Sequence, residues 1–156
     1  MAKKKLITLE ELDNLVSVGN PQIAPDGKQI LYTKKCVKDG VNHTSIWIAQ
    51  TKGSKKPRAL TTDGKDGMPR WSPDGSQVAF IRSSNSGSQI FTIDMDGGEA
   101  QQLTNLPEGT ISELKWCPKG CKLAISYRKT QEPFTHAASE KRKENKESEP
   151  PVITES

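Results

Sequence analysis

From Pro69 to Thr104, apolar residues recur at every second position in short runs, and each run is bounded by residues that favour turns. Val78 and Phe80 alternate with Ala79 and Ile81, and Ile90 and Thr92 with Phe91 and Ile93. That is the period of two expected where the two faces of a strand pack differently. Ser72-Pro73-Asp74-Gly75 predicts the turn before the first run. Pro presets φ, Asp can bond its own backbone, and Gly accepts the positive φ that follows. Asp96-Gly97-Gly98 predicts the next reversal as a two-residue hairpin turn. With one strand ending at Trp71 and an outer strand over Ala100–Thr104, the stretch reads as a four-stranded antiparallel sheet.

The pattern recurs. Pro25-Asp26-Gly27 stands 48 residues before Pro73-Asp74-Gly75, and Pro118-Lys119-Gly120 stands 45 after it. Ile46-Trp47-Ile48 matches Ile90-Phe91-Thr92, and Ala59-Leu60-Thr61 matches Gln102-Leu103-Thr104. Repeats in the forties, each carrying four strands, are the signature of propeller blades, because one such sheet cannot cover its own apolar faces and stacks on its neighbours. The expected fold is all-β, an incomplete β-propeller of about three four-stranded blades with the third unfinished, short of the roughly four to eight that close a ring.

Blade one is assigned to residues 18–63, blade two to 64–108 and the start of blade three to 109–128. Residues 1–17 precede them with a short helix from Thr8, which the spacing of Thr8 and Glu11 would cap while Leu9, Leu12 and Leu15 share a face. A polar loop over Lys34–Thr44, holding His43, is expected to separate two strands of blade one. The third turn has drifted, with Cys117, Lys119 and Cys121 where blade two has Ser72, Asp74 and Ser76. Lys cannot make the Asp-type bond, so this turn is expected to be the loosest. Residues 129–149 are rich in Lys, Glu, Ser and Asn without an apolar period and read as a disordered or loosely ordered charged loop. Residues 150–156 return to something strand-like.

Composition narrows the function classes. Hydrophobic residues make up 32% and the net charge is +4, drawn from scattered lysines and not from a basic patch interleaved with aromatics. Nucleic-acid binding is therefore not expected. The amino terminus lacks the apolar stretch of a secretion signal or membrane span, and three cysteines, an odd number, fit a reducing, cytoplasmic setting. Cys117 and Cys121 are separated by three residues and no second Cys or His cluster accompanies them, so they read as free thiols, with no metal and no cofactor expected.

The opening from Leu6 to Thr33, the stretches Pro69–Arg82 and Gln89–Thr104, and the late Pro150–Thr154 resemble the start of the propeller domain of the prolyl oligopeptidase family of serine peptidases, in its acylaminoacyl-peptidase and dipeptidyl-peptidase-like bacterial branch. TolB-like, PD40-type repeats share the turn elements. The resemblance implies a propeller that covers an α/β-hydrolase domain, restricts entry to short peptides, and leaves the Ser, Asp and His triad to that other domain. A hydrolase nucleophile needs a G-x-S-x-G elbow, and the chain has none; its histidines are His43 and His136. No catalytic residue is assigned. Asp26, Gly27, Asp74, Gly75, Gly97 and Gly98 read as structural turn residues, while Gln22, Arg70 and Lys115, one step out of phase with Trp71 and Trp116, are the candidates for a channel wall or blade edge. The partners expected are a hydrolase domain or the remaining blades on another chain, or self-association through open strand edges. An isolated arc of this kind is expected to be marginally stable, because contacts between neighbouring units hold such arrays together.

Overall fold

The computed structural model describes residues 15–38, 40–62 and 64–144. The helix expected from Thr8 and the strand-like residues 150–156 fall outside them. Strands β1 (Ser17–Ile23), β2 (Gln29–Lys38), β3 (Val41–Gln50) and β4 (Arg58–Ala59) form one antiparallel sheet in sequence order. Strands β5 (Asp66–Trp71), β6 (Gln77–Ser84), β7 (Gly87–Asp94) and β8 (Gln101–Gln102) form a second with the same order. A third sheet pairs β9 (Gly109–Trp116) with β10 (Leu123–Lys129).

The sheets stack through their alternating apolar faces. Ala24, Leu31, Ile46 and Ile48 of the first sheet pack on Trp71, Val78, Phe80 and Ile93 of the second. The opposite face of the second sheet, with Ala79, Ile81 and Ile90, packs on Ile111 and Leu114 of the third. Register sorts these residues: Phe80 lies opposite Phe91 and Ile81 opposite Ile90, so each buried pair shares a face. The middle sheet is thus apolar on both sides, and Val78, Ala79 and Phe80 are all fully buried.

The three Pro-containing turns close alike. Gly27 N–H donates to Ala24 O at 2.8 Å, Gly75 N–H to Ser72 O at 2.9 Å, and Gly120 N–H to Cys117 O at 2.9 Å. The third turn is therefore not looser in its backbone. The glycine near φ +74 closes it, and the Asp only adds side-chain bonds. Leu-Thr has a local reason too. Thr61 and Thr104 turn their hydroxyls to accept the N–H of Ile46 at 3.1 Å and of Ile90 at 2.9 Å, standing in for the ladder where the outer strand stops. That is why β8 covers only Gln101–Gln102 instead of the expected Ala100–Thr104.

Three further expectations are corrected. Residues 95–100 connect β7 to β8, so the turn at Asp96, Gly97 and Gly98 is longer than a two-residue hairpin, although Gly97 and Gly98 do take φ values of 123° and 113°. The supposed loop at Lys34–Thr44 is a continued hairpin, with Cys36 opposite His43 and Lys38 opposite Val41. Thr44, Val41 and Val37 favour extended backbone, and Gly40 at φ 71° makes the reversal. Within the charged stretch, a helix α1 spans His136–Glu144. Its first turn is held from outside: Thr135 Oγ1 accepts from Ala138 N–H at 3.3 Å, and the Glu108 carboxylate accepts from His136 N–H at 2.7 Å.

Candidate functional site

Strand β5 lies against β1 on one side and β9 on the other, and the three carry the channel-wall or blade-edge candidates Gln22, Arg70 and Lys115 at matching positions. Their main chains form a repeated inter-sheet link. The Trp71 indole N–H donates to Gln22 O at 3.3 Å, and the Trp116 indole N–H donates to Arg70 O at 3.1 Å. Each tryptophan, Trp71 buried and Trp116 half-buried, thus packs its ring at the junction and satisfies its one polar atom on the preceding sheet. In Trp71→Phe the ring area remains and the donor is lost. A destabilisation of about 1 kcal/mol is expected, read as a lower denaturant midpoint at unchanged slope.

The side chains of the three candidates do not converge. Arg70 turns its guanidinium along the junction, Nε donating to Leu114 O at 3.1 Å and Nη1 to Pro69 O at 2.9 Å. Lys115 is exposed and sits 3.7 Å from the Glu113 carboxylate. His43 lies in β3 beside the connection at Gly64, and His136 starts α1. Among the described residues, no group of three or more His, Cys, Asp and Glu is arranged to hold a metal ion.

Two residues outside the candidates drawn from the sequence form a part-buried, bidentate charged pair. Asp66 has no exposed surface, and Arg82 on the adjoining strand meets it bidentately, Nε to Oδ1 at 2.7 Å and Nη2 to Oδ2 at 3.0 Å. The same guanidinium lies over the Phe91 ring, 4.5 Å from its centroid. A signal was present: Arg82 follows Val78 and Phe80 at the spacing of one face, so a charge had to enter the junction and find a partner.

Blade one repeats half of this. Lys34 Nζ lies 4.6 Å from the Trp47 centroid, the counterpart of Arg82 over Phe91. But Val18 and Ile23 stand where the second sheet has Asp66 and Trp71. They are 68% and 65% exposed, and Val18, Pro21, Ile30 and Tyr32 line an apolar hollow of 340 Å³ that no other described residue covers. The far side of the third sheet is different: Ala124, Ser126 and Arg128 are exposed there.

A second cleft, of 490 Å³, runs between the turns of blades two and three and is lined by Asp74, Gln77, Trp116, Lys119 and Cys121. Asp74 accepts from Ser72 Oγ at 2.6 Å, Ser76 N–H at 3.1 Å and Ser76 Oγ at 2.9 Å. The Ser72 hydroxyl, then the Ser76 amide and hydroxyl, hold its carboxyl below the ordinary value of 3.8. A carboxyl depressed on folding stabilises the fold above its unfolded pKa, and that contribution is lost as pH falls through the folded value. Acidification below about pH 4 should therefore loosen the second turn, and Asp74→Asn should remove that part of the acid dependence. Amide exchange at Ser76 and Gln77 across the acid range checks it.

Stacked antiparallel sheets, a repeated turn and a repeated Trp-to-carbonyl link define a propeller-type repeat protein. The chain belongs to the TolB beta propeller domain family, PD40, whose model matches residues 8–154. It is 37% identical over 126 residues to the uncharacterized peptidase YuxL of Bacillus subtilis, covering 79% of this chain and 19% of that protein. It is 27% identical over 116 residues to dipeptidyl-peptidase 5 of Porphyromonas endodontalis, covering 72% of this chain and 17% of that protein. The chain therefore spans about a fifth of the length of these relatives. The solved acylaminoacyl peptidase of Pyrococcus horikoshii superposes with a TM-score of 0.60 at 19% identity, over 73% of this chain and 17% of that one, a likeness of fold.

Proposed function

We propose that the chain supplies the first blades of a peptidase propeller of the acylaminoacyl- and dipeptidyl-peptidase kind, and that it hydrolyses nothing by itself. The observation that carries this reading is the 37% identity with a peptidase, extending over 79% of this chain but only 19% of the relative. Propeller blades of this kind would screen peptides by size while the acyl chemistry proceeds on an α/β-hydrolase domain. The sequence has no G-x-S-x-G elbow to serve as that nucleophile. A cytoplasmic setting belongs to the same reading. Purified chain is expected to leave acylaminoacyl and dipeptidyl chromogenic substrates intact, and measurable turnover that survives further purification would overturn the proposal.

A second reading, an interaction module completed by another chain or by a second copy, is favoured by the exposed Val18 and Ile23 beside the half-buried Ile30, Tyr32 and Trp47, a face that no other described residue covers. Light scattering separates the two. A concentration-independent monomer with full β-sheet signal counts against the module, and a defined dimer counts for it.

A further inference from the structure

In the third turn, the drift from Ser-Pro-Asp-Gly-Ser to Cys-Pro-Lys-Gly-Cys has a chemical result. The hydroxyls of Ser72 and Ser76 in blade two both reach the carboxylate between them. In blade three the backbone follows the same path, with Cys117 N–H donating to Lys122 O at 2.8 Å and Gly120 N–H to Cys117 O at 2.9 Å. With no carboxylate to share, the two sulfurs turn to each other, 3.6 Å apart. Cys121 is exposed on the 490 Å³ cleft beside Trp116, and Cys117 is half-buried behind it. We propose that Cys117 and Cys121 form a dithiol that reacts with small-molecule disulfides and closes reversibly to a disulfide within the turn.

The two thiols have unequal environments. Burial works to raise the Cys117 thiol, but the hydrogen bond from Cys121 and the backbone N–H groups of Lys119, Lys122 and Cys121 outweigh it, and the net shift is downward. Cys121 moves up, first through that same bond to Cys117 and then through the neighbouring charge. Cys117 is therefore the attacking thiolate and Cys121 the resolving one. The Cys117 thiolate attacks one sulfur of a disulfide such as oxidised glutathione. The small S–S bond breaks, and the departing thiolate takes up a proton. Cys121 then loses its proton and attacks the Cys117 sulfur of the mixed disulfide, expelling the second small thiolate. Two protein thiols are oxidised and one small disulfide is reduced to two thiols. The closed ring staples a turn whose Gly120 packs on Pro73 of the preceding turn, where an added Cβ would lie 3.7 Å from the proline ring.

The test uses the full chain carrying Cys36→Ser, which leaves only the two turn thiols. In a buffer of oxidised and reduced glutathione, intact mass should show the loss of two hydrogens without a stable adduct, with both thiols unreactive and the emission of Trp116 altered. Dithiothreitol should restore the starting mass. Adding Cys121→Ser should trap one glutathione on Cys117. Adding Cys117→Ser instead should slow adduct formation at Cys121 several-fold. The proposal is overturned if the Cys36→Ser chain keeps two free thiols under conditions that glutathionylate the Cys121→Ser chain, if it accumulates two separate adducts, or if Cys121 alone reacts as fast as Cys117 alone.

Discussion

Arg82→Ala is expected to destabilise the chain by about 3–5 kcal/mol, the loss typical of stripping one partner from a buried pair. The reason is the asymmetry of the pair. The Asp66 side chain is 0% exposed and that of Arg82 22% exposed, so removing the guanidinium leaves a carboxylate with no route to water. The mirror change, Asp66→Ala, should cost less, because the long Arg82 side chain can carry its head to solvent. The double replacement Asp66→Leu with Arg82→Met should recover most of the loss, since an apolar pair of similar volume often does as well as a buried ion pair. Urea titrations of the four proteins decide the matter. Equal losses in the two single variants would mean that the burial of Asp66 is not what sets the penalty.

Phe80→Ala carries the other large effect, again about 3–5 kcal/mol. Phe80 is fully buried at the centre of the first junction, and its ring stacks on Phe91 with centroids 5.9 Å apart. Leu31, Ile46 and Ile48 come from the neighbouring sheet to the same core, so the cavity opens between sheets and not within one. In a stacked array each unit is held by its neighbours, and the damage should be local. Amide protection in β2 and β3 should fall with that in β6, while β9 and β10, which pack on the other face, keep more of theirs. Uniform loss along the chain would show that the two junctions melt as one.

Much of this was legible beforehand, and what was not has identifiable causes. The strands of the middle sheet follow from two-residue alternation, and the turns at Gly27 and Gly75 from residues whose backbone needs are specific. The hairpin through Cys36 and His43 was hidden because its residues are polar, and part of what holds it is the bond from Thr44 N–H to Gly64 O, a contact that polarity along the chain does not carry. Helix α1 was hidden because its start depends on Thr135 and on Glu108, a residue far back in the chain, and composition does not carry such contacts. The phase of Arg70 marks a channel wall or a blade edge, but not the bond its guanidinium makes to the Leu114 carbonyl on the next sheet. The pairing of Asp66 with Arg82 depends on the register of two strands, and the approach of Cys117 to Cys121 on a turn whose backbone Lys119 leaves intact.

The two ends of the stack also differ in kind. Among the described residues, one presents the half-buried Ile30, Tyr32 and Trp47, the other the exposed Ala124, Ser126 and Arg128. Copies placed nose to tail would press a greasy surface onto a wet one, so translation along the stacking direction offers no repeating bond from which a fibre could grow. Two apolar ends, by contrast, match each other, so contact through the described end faces alone would close at a pair.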